Sequence, residues 1–254
     1  MRRLAAATVA VATLVGAVGC SGGDDDAAPG AGDAASGTTA PIETTTSTTE
    51  APLTGQPLVV VEQGVSTFPD PFDHTASLGG YGVVLENPNP EVMAAGVRVV
   101  TKVLDPAGTE LLADSTLLNA VMPGQRMALG RTLIEPVEDP TQLAVTVEVA
   151  AWLRPASTEG RLIAEGVVTE PEENGGAVTR FVVRSTWPEP EEGVDVTAIY
   201  RAADGRVLGA ESTTLVLVAP GADTPGQIRL LSPIPDLAIT EVFVGRGLAA
   251  QTVG

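Results

Sequence analysis

Few side chains in this sequence could ligate a metal or act as a nucleophile. Among 254 residues there is one cysteine, Cys20, and one histidine, His74. A single cysteine cannot form an intrachain disulfide, and zinc sites built from several cysteine and histidine ligands are excluded. A catalytic histidine needs a nearby nucleophile or an orienting carboxylate, and only Asp70 and Asp73 are close to His74 in sequence. We expect a solvated loop histidine and assign no catalytic residue.

Two acidic stretches in the predicted folded part are candidates for a metal site, whereas the aspartates at residues 24–26 are expected to be a solvated charge run in the tether. The two stretches are residues 170–174, EPEEN, and residues 189–192, EPEE. If both loops lie near one end of a β-sandwich, their carboxylates and an amide could converge on a calcium ion. The candidate ligands are Glu172, Glu173, Asn174, Glu191 and Glu192. The alternative is a pair of solvated loops whose charge discourages edge pairing, and this alternative leads us to expect neither a metal nor a cofactor.

The two tryptophans are the remaining candidates for ligand binding. Trp152 and Trp187 could form a platform on which a sugar ring stacks. Each is near the end of a predicted strand, where an indole ring commonly packs at the rim of a sandwich or between domains. We therefore expect a packing role for both.

The N-terminus has the architecture of a secretory signal. Two arginines precede an apolar stretch of 15 residues, which is short for a transmembrane helix. The following sequence, Ala17-Val18-Gly19-Cys20, resembles a bacterial lipobox. This resemblance implies cleavage after residues 1–19 and transfer of a lipid to the Cys20 thiol. Two or three acyl chains, such as palmitate, would hold the protein at the extracytoplasmic face of the cell membrane, because each buried methylene contributes about 0.8 kcal/mol.

Residues 20–56 are expected to form a disordered tether behind the lipid. They are rich in Thr, Gly, Ala and Asp, and they contain almost no bulky apolar groups. Such a segment cannot bury enough surface to offset its ordering entropy. The threonine cluster at residues 44–49 is either an O-glycosylated stalk or a plain spacer, and the sequence leaves both open.

The charge of the chain restricts its partners. With 14 basic and 32 acidic residues, the formal net charge is −18. Phosphate backbones and anionic lipid head groups repel such a surface, so we expect no nucleic-acid partner and no purely electrostatic membrane attachment. Lys102 is the single lysine, a bias typical of a high-GC genome such as an actinobacterial one.

The remainder of the chain contains an internal repeat. Residues 97–124 align without a gap to residues 194–221, with 11 of 28 positions identical at an offset of 97. A period of that length is the size of one sandwich domain. Short Val-rich and Leu-rich runs alternate with turn residues, which predicts an all-β fold. We therefore predict two tandem immunoglobulin-like β-sandwiches.

The domain boundaries follow from this pattern. The first sandwich is assigned to residues 57–153, a linker to residues 154–160, and the second sandwich to residues 161–254. Within each repeat, alternating valines predict a half-buried strand, and Asp105–Gly108 and Ala202–Gly205 predict hairpin turns. The Pro-Gly pairs at 123–124 and 220–221 predict the turns that follow the returning strands. Residues 82–86 and 180–184 predict the strands before each repeat.

This pattern resembles the FxLYD family of small immunoglobulin-like modules in bacterial envelope proteins. The resemblance is carried by Val103-Leu104-Asp105 with Gly108, by residues 198–200 with 204–209, and by the later Pro-Gly pairs. It covers about residues 80–150 and 177–246. Membership of the family would imply the fold and an extracytoplasmic setting, without any shared catalytic residue.

Three functions are compatible with these features. The first is a non-catalytic envelope lipoprotein whose sandwiches bind a protein or a cell-wall component through loops or an exposed edge strand. The second is an envelope-polymer hydrolase or metal-dependent enzyme, which would need two carboxylates facing one cleft. The third is a self-associating spacer, for example a homo-oligomer formed through strand edges. We favour the first.

Overall fold

In the computed structural model, the described residues form β-strands, turns and irregular segments without a helix, which confirms the predicted all-β class. The described residues are 52–70, 73, 77–133, 140–173, 176–230, 234 and 236–246. The predicted signal peptide, Cys20, nearly all of the tether, His74 and Asn174 lie outside them. Within the described residues, no helix is long and apolar enough to cross a membrane.

Twelve strands follow one another in the described residues. They are β1 (Val59–Pro69), β2 (Ser77–Glu86), β3 (Met93–Leu104), β4 (Glu110–Val121), β5 (Arg126–Leu133), β6 (Gln142–Leu153), β7 (Leu162–Pro171), β8 (Ala177–Ser185), β9 (Glu191–Arg201), β10 (Val207–Val218), β11 (Asp223–Leu230) and β12 (Ile239–Gly245). Residues 50–254 belong to one compact unit.

The strands form the same two sheets twice. The first six give antiparallel sheets of order β1-β2-β5 and β4-β3-β6, and the last six give β7-β8-β11 and β10-β9-β12. Strands β4, β5 and β6 begin at residues 110, 126 and 142, and their counterparts begin at 207, 223 and 239, an offset of 97 in each case. The sequence repeat therefore extends to the topology.

Each pair of sheets encloses an apolar core, and the core of the second sandwich also includes Phe68 of β1 and Leu78 of β2. In the first sandwich, Val97, Val99 and Val103 of β3 are at most 1% exposed, whereas the alternate residues Arg98 and Lys102 are exposed. This alternation is the one predicted from the valine spacing, because successive strand residues point to opposite faces. The β3 valines pack against residues of β2 and β5.

The predicted turns are confirmed. Gly108 and Gly205 have φ angles of 85° and 87° in the two hairpins. Gly124 and Gly221, the glycines of the two Pro-Gly pairs, have φ angles of 65° and 64°. Glycine favours these positions because its lack of a Cβ removes the steric penalty for positive φ.

Strand β2 differs from the prediction in length and in burial. The sequence predicts a strand over residues 82–86, but the strand begins at Ser77 and includes the run Gly79-Gly80 and Gly82. Glycine is unfavourable within strands, which is why its first half was not recognised. Both faces of β2 are buried, since the neighbouring Val83 and Val84 are each 0% exposed.

The second face of β2 is covered by the other sandwich. A separate apolar cluster joins the outer face of β1-β2-β5 to the outer face of β10-β9-β12. Its members are Val84, Ala128, Ile199, Val207, Ala210 and Phe243. The two sandwiches therefore share this inter-sandwich interface in addition to the cores between their own sheets.

Glycines in β2 allow the close approach of the two sheets. A Cβ on Gly80 would lie 2.9 Å from the carbonyl oxygen of Leu208 and 3.2 Å from the Cα of Gly209. A Cβ on Gly82 would lie 2.9 Å from a methyl group of Val207. The backbone of β2 therefore occupies the space that side chains fill in an ordinary sheet packing.

The faces at the two ends of this stack carry ion pairs instead, with Leu117 and Val168 exposed among them. On β4-β3-β6, Lys102 and Glu110 form a 2.6 Å ion pair at the positions where the repeat places Ile199 and Val207. On β7-β8-β11, the position equivalent to Gly82 is occupied by Arg180, because each faces the corresponding residue of β5 or β11. Arg180 forms an ion pair with Glu170. The apolar, glycine-lined surface is thus present only where the two sandwiches meet.

We predict that Gly80→Val lowers the free energy of unfolding by about 3 kcal/mol, because the added side chain meets backbone atoms that cannot move aside. Urea denaturation followed by tryptophan fluorescence measures the loss. Ala144→Val is the matched control, since it adds apolar bulk at an exposed strand position of β6. Equal midpoints for the two variants would contradict the close sheet contact.

Candidate functional site

The two acidic loops do not converge. Residue Glu172 lies in the loop that joins β7 to β8, whereas Glu191 begins β9 after the other end of β8. The nine residues of β8 separate the loops by about 30 Å at 3.3 Å per residue. The possible calcium site that required both loops is therefore excluded by the direction of β8.

The individual acidic residues have different environments. Glu172 pairs through Oε1 with Arg229 Nη2 at 3.2 Å, and its Oε2 atom is buried without a hydrogen-bond partner. Glu173 and Glu192 are exposed. Within the described ranges, no group of three or more His, Cys, Asp or Glu residues is arranged to hold a metal ion.

Glu191 forms a buried ion pair instead of a loop site. The residue is 1% exposed, and its two carboxylate oxygens accept hydrogen bonds from Arg246 Nε at 2.9 Å and Nη2 at 2.7 Å. Bidentate pairing of this kind fixes the orientation of the guanidinium. Its partner was missed in the sequence because Arg246 is 55 residues away and follows the last strand.

Trp187 packs against the same arginine. The Arg246 guanidinium carbon is 4.1 Å from the centroid of the indole ring, a cation–π distance. Gly160 approaches the ring so closely that a Cβ there would lie 2.0 Å from its Cδ2 atom. The ring is 7% exposed. Trp187 therefore has the packing role that the sequence predicts, at the connection between the sandwiches.

These groups border a cavity of about 340 Å³, which we call the junction cavity. It lies between the β4–β5 turn of the first sandwich, the connecting segment, and the end of β12. Its lining residues are Met122, Pro123, Gly124, Gln125, Thr158, Gly160, Arg161, Leu162, Trp187 and Arg246. The volume is within the range of small-ligand pockets.

Polar contacts surround the apolar interface between the sandwiches. Arg201 Nη2 donates to Glu62 of β1 at 2.6 Å and to Glu241 of β12 at 2.8 Å, and its side chain is 8% exposed. Asn119 donates to Asp195 across the same interface at 3.4 Å. A guanidinium with two carboxylates has its charge compensated where burial would otherwise be costly.

Burial perturbs two carboxylates at this interface. Desolvation raises the pKa of Glu211, although a hydrogen bond from Thr132 opposes the shift. Desolvation likewise raises the pKa of Asp195, against a hydrogen bond from Thr214. Burial raises the pKa of Tyr200 to about 12, so its hydroxyl stays protonated beside Thr179.

Comparisons with known proteins add little to this geometry. No protein-family model matches the chain, and no curated protein matches it. Matches to 22 chains were found among solved structures. One of these, named pT26-6p, is 9% identical, has a TM-score of 0.20, and is aligned over 76% of this chain and 65% of its own length. This chain thus spans less than two thirds of the length of that structure.

We predict that Glu191→Gln lowers the free energy of unfolding by about 3 kcal/mol, because the variant leaves the Arg246 charge without its carboxylate. Chemical denaturation at pH 7 measures the effect. Glu192→Gln is the matched control: it removes the same charge one residue away from an exposed side chain and should cost less than about 0.5 kcal/mol. Similar losses in both variants would refute a special role for the ion pair.

Glu211→Gln should stabilise the protein at neutral pH. Because the folded-state pKa of Glu211 is raised, the folded chain binds its proton more tightly than the unfolded chain, whose pKa is about 4.3. Wild-type stability therefore falls as pH rises from the unfolded-state value through the folded-state value. The amide is neutral throughout and avoids this loss.

Thermal melts at pH 4 and pH 7.5 test this expectation. The variant and wild type should melt together at pH 4, and the variant should melt higher at pH 7.5. Glu189→Gln, at an exposed position, changes the net charge equally and should show no such divergence. A Glu211→Gln melting temperature below that of wild type at pH 7.5 would show that ionised Glu211 is stabilising.

Proposed function

We propose that the chain is a non-catalytic, lipid-anchored envelope protein that binds a protein partner at the extracytoplasmic face of the cell membrane. The anchor is the predicted lipid on Cys20, followed by the predicted tether. The immunoglobulin-like modules similar to the FxLYD family are part of this proposal. They act as one rigid binding body, and the anchor sets their location.

The observation that carries the proposal is the exposed apolar edge of β10. This strand is at the edge of its sheet, and Val216 is 85% exposed and Leu217 is 48% exposed. No charged residue occurs from Ser212 to Ala222, in a chain of net charge −18. Edge strands are normally protected by charge, so an uncharged apolar edge favours pairing with another strand.

In the first sandwich, the residue equivalent to Val216 contacts the neighbouring sandwich. The repeat aligns Val216 with Asn119. Asn119 reaches across the inter-sandwich interface to Asp195, whereas Val216 faces solvent. A partner that adds an extended strand to β10 would cover this region through backbone hydrogen bonds and apolar side-chain contacts.

The geometry supports binding better than hydrolysis. A hydrolase needs two carboxylates facing one cleft. The junction cavity is lined by two arginines and by no acidic residue, and the acidic loops are separated by the length of β8. The ion pairs on the two outer sheet faces oppose stacking of further copies through those faces, because stacking would desolvate them, whereas self-association through strand edges is decided by the sedimentation measurement below.

Affinity capture from detergent-solubilised envelope tests the proposed edge. We predict that Val216→Lys loses the partner captured by wild type, because a lysine on an edge strand disfavours strand addition. The matched control is Val168→Lys, since Val168 is 53% exposed on the edge strand β7. Point variants are preferable to deletion of residues 161–254, which would expose the apolar face of β2.

Two further measurements complete this test. A Cys20→Ala chain should leave the membrane fraction while folding normally, because only the acyl chains hold it there. Sedimentation velocity at several concentrations distinguishes a partner from self-association. If neither valine variant changes the captured proteins, the edge is not the binding surface. If Val216→Lys converts a dimer to a monomer, the spacer function replaces the one proposed.

A further inference from the structure

The junction cavity has the opposite charge from the rest of the surface. The protein has a net charge of −18, yet the ionisable side chains lining the cavity are Arg161 and Arg246. Glu191 lies behind the cavity and compensates only one of them. The charge of Arg161 therefore remains as a local excess of one positive charge in a cavity that is also lined by apolar side chains.

Arg246 is positioned in advance for a ligand. Its Nε and Nη2 atoms are used by Glu191, and its guanidinium is held against Trp187. Its Nη1 atom makes no hydrogen bond to any residue that the structure describes. Because the side chain is already ordered, little conformational entropy is lost when this last donor binds an acceptor.

Arg161 is a cation without a compensating carboxylate. Among the described parts of the chain, no carboxylate oxygen is within 4.0 Å of its guanidinium. Its backbone is fixed by two hydrogen bonds with Thr186, one from its amide and one to its carbonyl. The fixed backbone therefore places the exposed side chain of Arg161 on the cavity wall.

We propose that the junction cavity binds the carboxylate group of an amphipathic ligand. Arg161 supplies the bidentate contact, because a guanidinium fork matches the planar geometry of a carboxylate. Arg246 Nη1 supplies the second donor. The apolar part of the ligand contacts Met122, Pro123 and Leu162, which also line the cavity. This site is separate from the β10 edge and does not depend on it.

Isothermal titration calorimetry of the full lipidated chain in detergent tests the proposal. The probes are N-acetyl-leucine, its neutral amide, and inorganic phosphate. We expect N-acetyl-leucine to bind with a Kd below about 1 mM and the amide to bind at least about tenfold more weakly, since the amide lacks the anionic group. Phosphate, which has no apolar body, should also bind more weakly than N-acetyl-leucine.

Two arginine variants assign the contact. Arg161→Gln should weaken N-acetyl-leucine binding at least about tenfold, whereas Arg154→Gln, at an exposed residue outside the cavity, should leave it unchanged. Thermal melts establish that both variants fold. Val216→Lys should leave the affinity unchanged, which separates this site from the proposed edge.

Several results would overturn the proposal. Equal affinity for the acid and the amide would show that the carboxylate is not recognised. Equal effects of Arg161→Gln and Arg154→Gln would exclude Arg161 as its partner, and tighter binding of phosphate would exclude an amphipathic ligand. The absence of any saturable heat at millimolar N-acetyl-leucine would remove the site altogether.

Discussion

The close packing of β2 against the second sandwich is the constraint on which the rest of the structure depends. The backbone at Gly80 and Gly82 approaches Val207, Leu208 and Gly209 so closely that a Cβ would overlap them. This contact buries a second apolar cluster and makes one body out of two repeats. The junction cavity and the buried Arg201 cluster exist because the sandwiches are held in this arrangement.

Charged side chains have different environments on the outer sheet faces and at the inter-sandwich interface. The outer faces of β4-β3-β6 and β7-β8-β11 carry ion pairs between exposed side chains, which contribute little stability but remain hydrated at no cost. At the inter-sandwich interface, burial raises the pKa of Glu211 and of Asp195, so this contact is where electrostatics oppose folding. The favourable free energy of the apolar and glycine contacts must exceed the cost of desolvating these carboxylates for the two sandwiches to remain packed together.

The sequence predicts what is local or repeated and misses what depends on contact between the copies. Alternating valines, hairpin glycines and the 97-residue offset predict the strands, the turns and the duplicated fold. The sequence does not predict the first half of β2, because glycine is unfavourable in strands. Its glycines are suited to this strand only because the backbone of the second sandwich packs closely on them. The sequence places Glu191 in an acidic loop, and it gives no sign of the ion pair with Arg246, which is 55 residues away.

The divergence of the two repeats separates structural from functional positions. Core residues such as Val97 and Val194 are identical, since both sandwiches need the same interior. Outward residues differ according to what covers them: Ile199 meets the other sandwich, whereas its counterpart Lys102 meets water. A single exposed apolar residue does not by itself indicate a neighbour, since Leu117 and Val168 are also exposed, beside Arg98 and Arg180 on the outer faces. Val216 is apolar, outward and uncovered in the described body, and its counterpart Asn119 contacts the other sandwich. Unlike Val168, Val216 lies in a run without charged residues, from Ser212 to Ala222, and the proposed partner at β10 rests on that run.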